Sequence, residues 1–241
     1  MTDDLLAGAI AAHGGAERWA TLEEIELHAG SGGFMPTTKG KRRALAQYRA
    51  RISTRAPRTV VTPYPGAGRR GVFEPTRVWI ETDDGEVVAE REDPREAFGG
   101  LRRALWWDHL DFLYFAGYAL WGYANAPFVF ARPEFEAREI EPWEENGEPR
   151  RRLVVTFPAD VPAHSREQIF HFDAQGRVRR NDYTAEVVGS WAKAAHYCDD
   201  HREFGGLLFP TRRRVYPRRR DGRPRRAPTL VWIDIAGVEL S

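Results

Sequence analysis

Residues 164–217 read HSREQIFHFDAQGRVRRNDYTAEVVGSWAKAAHYCDDHREFGGLLFPTRRRVYP, and the fold is decided here. The run reads as four consecutive antiparallel strands. Asp173-Ala174-Gln175-Gly176 predicts a type I turn with Gly176 in the left-handed region, where a residue lacking Cβ meets no steric cost. That turn pairs Phe172 with Val178, Phe170 with Arg180 and Gln168 with Asp182. Gly205-Gly206 predicts a two-residue primed turn. It pairs Phe204 with Leu207, Asp200 with Thr211, Cys198 with Arg213 and His196 with Val215.

Side chains along a strand alternate faces, so these registers split each strand in two. One face gathers Phe170, Phe172, Val178, Ala192, Ala194, Phe204, Leu207, Phe209 and Val215, and is expected to point inward. The same face receives His164, Gln168, Arg180, Asp182, His196, Cys198, Asp200 and Arg213. Ionisable groups against an apolar wall are costly unless paired and hydrogen-bonded. They therefore form a satisfied network or line a cavity holding water or a ligand.

Outward from this core, residues 2–13 predict an amphipathic helix capped by Thr2, with Asp3 and Asp4 at its positive end and Gly14-Gly15 as its stop. Residues 16–20 predict one further turn. Strands follow near 22–29, 42–54, 57–62, 70–74, 77–82 and 86–91, the last two joined at Asp83-Asp84-Gly85. Gly30-Ser31-Gly32-Gly33 precedes no helix pattern, so no phosphate cradle is expected there. Asp93-Pro94-Arg95-Glu96 opens a helical region reaching about Tyr123, with breaks expected at Gly99-Gly100 and Gly117. Its segment ALWWDHLDFLYFAGYALW is apolar nearly all round, the mark of a helix buried on several sides or covering an apolar opening. Residues 134–157 predict a hairpin turning at Asn146-Gly147, and a last strand spans about 228–236. The expected fold is α+β. A strongly curved antiparallel sheet, a half-barrel of roughly 10–11 strands, carries a short N-terminal helix, and inserted helices at about 94–123 cover its concave face. Residues 1–241 make one domain, because no linker divides the chain.

AHGGAERW after the first helix, the inserted aromatic helices, FDAQGRVRRNDYT and HREFGGLLFPTRRRVY together resemble the half-barrel proteins related to the bacterial lipoprotein carrier LolA. The resemblance implies an incomplete β-barrel whose concave face and helical lid enclose a hydrophobic cavity for acyl chains or lipids.

Composition narrows the partners. The 36 Lys and Arg against 35 Asp and Glu give a formal charge of +1, which excludes nucleic-acid binding by bulk charge. Arginine crowds residues 212–226, most simply as a solvated loop. A single cysteine excludes an internal disulfide and suits a reducing compartment. The acidic N-terminus does not read as a secretory signal, so a cytoplasmic location is expected. No apolar run approaches the roughly 18 residues of a membrane span. No Walker, Rossmann, zinc-finger or nucleophile-elbow motif occurs in usable context, so no cofactor and no metal is expected.

Two sets of candidate residues emerge. Trp107, Asp108, Asp111, Tyr114, Phe115 and Tyr118 from the helices, with Gln168, Phe170, Arg180 and Arg213 from the strands, are candidate ligand contacts. His196 oriented by Asp182 or Asp200 is a candidate acid–base pair, with His164 and Cys198 beside it. The first reading is a binding protein holding a hydrophobic small molecule or acyl chain. The alternatives are a cofactor-independent isomerase, cyclase or hydrolase in the same cavity, and an interaction protein working through its charged segments. The sequence leaves the oligomeric state open.

Overall fold

The computed structural model describes residues 2–100 and 106–241. One antiparallel sheet forms the body. Its strands are β1 (Glu24–Gly32), β2 (Tyr48–Ser53), β3 (Thr59–Thr62), β4 (Arg69–Glu74), β5 (Arg77–Thr82), β6 (Val87–Glu92), β7 (Glu136–Glu145), β8 (Glu148–Thr156), β9 (Glu167–Phe172), β10 (Val178–Thr184), β11 (Lys193–Phe204), β12 (Leu207–Pro217) and β13 (Val231–Leu240). The helices are α1 (Thr2–Ala12), α2 (Ala16–Ala20), α3 (Phe34–Thr38) and α4 (His109–Asn125), with 3-10 turns at Glu96–Phe98 and Phe128–Ala131. The sheet holds thirteen strands rather than the roughly 10–11 expected, since strands as short as the four-residue β3 each form their own rung.

The spatial order is β6-β5-β4-β3-β2-β1-β13-β12-β11-β10-β9-β8-β7. Every neighbour in the sheet is a neighbour in sequence except β1 and β13, which join the two halves. β6 and β7 are the open edges, so the barrel is incomplete. The chain leaves one edge at β6, crosses the concave face as α4 and re-enters at the other edge as β7.

The turns behave as their residues require. Gly205 and Gly206 both have positive φ, 54° and 87°, the primed hairpin that only small or flexible residues adopt easily. Asn146 and Gly147 do the same at 56° and 81°. Gly30-Ser31-Gly32-Gly33, expected to precede no helix, leads into the single short turn of α3. At the expected helix start, Asp93-Pro94, the described residues form the 3-10 turn Glu96–Phe98, with Asp93 at a φ of 44° and no side-chain cap on the turn. The expected cap at Thr2 and the charges of Asp3 and Asp4 fall on side chains outside the described set, as do Ala104 and Leu105 of the apolar segment.

α4 starts at a reciprocal cap. Asp111 N donates to Asp108 Oδ1 at 2.8 Å, and Asp108 N donates to Asp111 Oδ2 at 2.9 Å. The helix then runs unbroken through Gly117, contrary to the expected interruption. A side chain there would collide with Phe73 of β4, so glycine serves close helix–sheet approach rather than a break. Phe112, Leu113, Tyr114, Tyr118, Leu120 and Trp121 are all buried between α4 and the sheet. Each contributes about 1.5–3 kcal/mol by removal from water. At one end of the half-barrel α1 closes the opening: Gly176 lies against Gly8 and Ala12, and Leu208 N donates to the His13 carbonyl at 3.0 Å.

Candidate functional site

The hairpin β11–β12 keeps the expected register. His196 faces Val215, Cys198 faces Arg213 and Phe204 faces Leu207. His196, Cys198 and Arg213 accordingly point into the concave side and are buried. Arg213 Nη1 lies 3.4 Å from Cys198 Sγ, and Nη2 donates to the Tyr123 carbonyl at 3.0 Å. Burial pushes the Cys198 thiol up, the opposite of what a nucleophilic thiolate needs. Ahead of β9, His164 is stacked on Tyr183, ring centroids 3.9 Å apart. Its Nε2 is 2.7 Å from the Tyr123 hydroxyl and its Nδ1 is 3.3 Å from the Tyr118 hydroxyl. Burial drives the His164 pKa down to about 3, so the ring stays neutral. Gln168 lies beside it and accepts from Asn181 Nδ2 at 2.9 Å; Phe170 packs on Phe130.

β9–β10 departs from expectation. Val178 faces Phe172 as predicted, but the register shifts at a bulge between Val178 and Arg180. Phe170 then faces Asn181, and Asp182 faces Ile169. One extra residue turns everything beyond it to the other face. Asn181 and Tyr183 point inward, while Arg180 and Asp182 point to the convex side. There they build a separate buried ion cluster. Arg180 Nε and Nη2 bind Asp182 at 2.7 and 2.9 Å, and Nη1 binds Glu145 at 2.8 Å. His171 Nε2 is 3.3 Å from Asp182, and Arg180 also donates to the Gly222 carbonyl of the arginine-rich segment. Burial alone would raise the Asp182 carboxyl; His171 and Arg180 outweigh it and hold it below the ordinary value.

The expected acid–base pair is therefore not assembled. Asp182 stands across the sheet from His196, whose nearest β10 neighbour is Asn181. Asp200 adopts a φ of 51°, turns outward, and lies 3.5 Å from Arg212 as an exposed pair. His201, next along, turns inward instead, with Nε2 3.0 Å from the Val178 carbonyl. Among the described residues neither ring nitrogen of His196 has a hydrogen-bond partner, and burial holds its pKa well below 6.5.

The helical candidates divide by role. Asp108 and Asp111 do not look into a cavity: besides capping α4, they are clamped by Arg91, at 2.7 Å to Asp108 and 2.5 Å to Asp111. Trp107, Tyr114 and Tyr118 are core, in edge-to-face or tilted contact with Phe98, Phe73 and His164. Phe115 alone of this group also reaches the opening described next.

The concave hollow itself is filled. Beneath α4 lie voids of about 10 to 40 Å³. A cleft of about 400 Å³ opens at the end opposite α1, where β10, β11, β12 and β13 meet α3 and the 185–192 turn. Val188, Ala194, Val215, Leu230 and Val231 form its walls, with Met35, Phe115 and Tyr183 at its floor. Phe34, 52% exposed, and Trp191, 77% exposed, stand at its rim on α3 and the turn. The floor residues Met35, Phe115 and Tyr183, with Val231 of the wall, also line an interior void of about 40 Å³, so the cleft adjoins the space under α4.

Sequence reasoning missed most of this cleft. Its lining joins Phe34, outside every expected element, to Val188 and to Leu230 of the last expected strand, a proximity that the register of β12 and β13 creates. Trp191, a large aromatic in a turn, was the available signal.

Solved structures share this architecture. A LolA superfamily protein from Nitrosomonas europaea superimposes with a TM-score of 0.54 at 12% identity, over 100% of this chain and 94% of that one. The fold is LolA-like. A domain assigned to outer membrane lipoprotein sorting from Vibrio parahaemolyticus gives a TM-score of 0.54 at 7% identity, covering 99% of this chain and 91% of that chain. A DUF1329 family protein from Desulfovibrio piger gives 0.55 at 10% identity, covering 100% and 93%. No protein-family model and no curated protein matches the sequence. At these identities the likeness is one of LolA-like fold, and the cleft residues carry the chemistry on their own account.

Proposed function

We propose that the protein binds a hydrophobic small molecule or a single acyl chain in the cleft between α3, the 185–192 turn and the ends of β12 and β13. The observation that carries this reading is the cleft itself. It has a volume of about 400 Å³, walls of Val, Leu, Ala and Met, and two exposed aromatic side chains at its mouth. Apolar clefts of roughly 300–1,000 Å³ are the size class that buries most of a small ligand. An exposed Trp and Phe facing one opening are also costly to leave in water without a partner. The Vibrio domain's assignment to lipoprotein sorting accords with lipid handling by the LolA-like fold.

The test uses a neutral, environment-sensitive probe, N-phenyl-1-naphthylamine. The wild-type chain is expected to enhance its emission saturably, at one site per chain. Ala192→Trp, which fills the cleft from the turn, is expected to abolish the enhancement while the melting temperature holds. Equal enhancement by both proteins would refute the cleft as the binding site.

A further inference from the structure

On the convex face, at the seam that joins the two halves of the sheet, three metal-ligating side chains converge. Alternation along β1 buries Ile25 and Leu27 and turns Glu26 and His28 outward. In β13, Val238 and Leu240 pack against the core, so Glu239 turns outward too. The β1–β13 register sets Glu239 directly opposite Glu26, and Gly237 opposite His28. Glycine at that position leaves the imidazole uncovered from the β13 side. One ligand atom from each of Glu26, His28 and Glu239 lies within 4.8 Å of the other two. His28 Nε2 is 3.2 Å from Glu26 Oε1 and 3.2 Å from Glu239 Oε1.

Two features set this cluster apart from an ordinary surface ion pair. The first is charge. Like charges directly opposite each other on antiparallel strands are destabilising, and Glu26 and Glu239 are such a pair. The cations around them offset little: exposed Arg49 lies 3.9 Å from Glu26, and among the described residues no Lys or Arg pairs with Glu239. The second is the histidine nitrogen. His28 Nε2 is shielded from solvent, yet among the described residues it makes a hydrogen bond to neither carboxylate. A single N–H serves one acceptor well and not two, whereas a cation takes all three ligands at once. Zinc bonds of about 2.0–2.2 Å in a tetrahedral array put neighbouring ligand atoms roughly 3.3–3.6 Å apart. The two separations of 3.2 Å at His28 are close to that spacing.

We infer that Glu26, His28 and Glu239 bind a divalent transition-metal cation of the zinc class, with the remaining position open to solvent. An imidazole nitrogen beside two carboxylates suits zinc and its first-row neighbours, whereas calcium and magnesium take oxygen ligands. The bound ion pins β1 to β13. That pairing joins the two halves of the sheet and is the one between strands distant in sequence, so the metal fastens the contact that the hairpin turns do not supply. The site faces away from the apolar cleft, and neither depends on the other.

The experiment titrates the full chain, freed of metal by a chelator, with Zn²⁺ and reads both calorimetric stoichiometry and melting temperature. Wild type is expected to take up one Zn²⁺ more per chain than His28→Gln or Glu239→Gln. At about a hundredfold excess over Kd its melting temperature is expected to rise by about 5–10 °C, a shift that neither variant shows. Reading the difference between proteins removes any binding by the rest of the seven histidines and by Cys198. Ca²⁺ and Mg²⁺ at the same concentration are expected to leave wild type unchanged. Without metal, Glu239→Gln is expected to melt no lower than wild type, since it removes one of two opposed carboxylates. Equal zinc uptake by all three proteins, none included, overturns the inference, as does a shift with Ca²⁺ as large as that with Zn²⁺. A lower metal-free melting temperature for Glu239→Gln also overturns it, because the His28–Glu239 ion pair then holds the seam by itself.

Discussion

Gly117 and Gly122 lie five residues apart on α4, and the same substitution at each should move stability in opposite directions. Alanine is favoured over glycine in a helix interior by about 1 kcal/mol. At Gly122 an added Cβ meets nothing within 4 Å, so that gain should appear nearly whole. At Gly117 the Cβ would lie 2.3 Å from the Phe73 Cβ and 2.4 Å from its Cγ. Phe73 is fully buried in β4, and the atoms struck are its first side-chain atoms, fixed by the strand backbone. The helix must move off the sheet, and overpacking of this kind costs about 1–3 kcal/mol or more. The net expectation for Gly117→Ala is a loss of up to about 2 kcal/mol after the helical gain is subtracted. For a chain of this size each kcal/mol is about 2–4 °C in melting temperature. Urea unfolding followed by circular dichroism, with unchanged m-values, gives both numbers. A rise in stability for Gly117→Ala matching that for Gly122→Ala would show that α4 does not lie against β4 as described.

Three further outcomes follow from the same geometry. His164 has an ordinary pKa of 6.5 when unfolded and about 3 when folded, so the unfolded chain takes up the proton first. Stability is then full above pH 6.5 and falls as pH drops from 6.5 towards 3, by about 1.4 kcal/mol per pH unit for this histidine. His164→Gln should flatten the urea midpoint against pH over that window, and an unchanged slope would contradict a buried neutral ring. Asp182→Asn removes one of the two carboxylates on buried Arg180, leaving Glu145, and should destabilise the chain by about 1–3 kcal/mol in urea unfolding. Probe affinity should stay the same, because Asp182 is on the convex side; a selective loss of binding would contradict that placement. Ligand addition should shift tryptophan emission to the blue, and Trp191→Phe should remove most of the shift, since this side chain stands at the rim.

Much of the sheet was legible because its turns are chemically explicit. Asn146-Gly147, Gly205-Gly206 and Asp83-Asp84-Gly85 fix registers through local backbone sterics, and β11–β12 kept the expected pairs at His196, Cys198 and Phe204. The β9–β10 register failed at Arg179. Alternation from Val178 places Arg180 and Asp182 inside, and a bulge is invisible to a period-two pattern because it is defined by the absence of that period. One clue was present: Val178 and Tyr183 are both large and apolar enough to want the interior. They are five apart, an odd spacing that puts both inside only if one residue is skipped. At Asp200 the break was carried by a residue type that tolerates positive φ. The helical insertion was legible as apolar, either buried on several sides or covering an opening, and the fit of Gly117 to Phe73 and of Gly71 to Leu113 and Tyr64, pairs distant in sequence, decides for the buried plug. The cleft was the least legible element, because it is made where chain segments far apart in sequence meet at one end of the sheet.

The account stands most directly on where an acyl chain lies. Crystals of the chain grown with an ω-brominated fatty acid locate the chain end by the anomalous signal of bromine. The account predicts one peak inside the cleft, among Met35, Val215, Leu230 and Val231. A peak beneath α4 away from these residues, or on the convex side by Asp182, would contradict it.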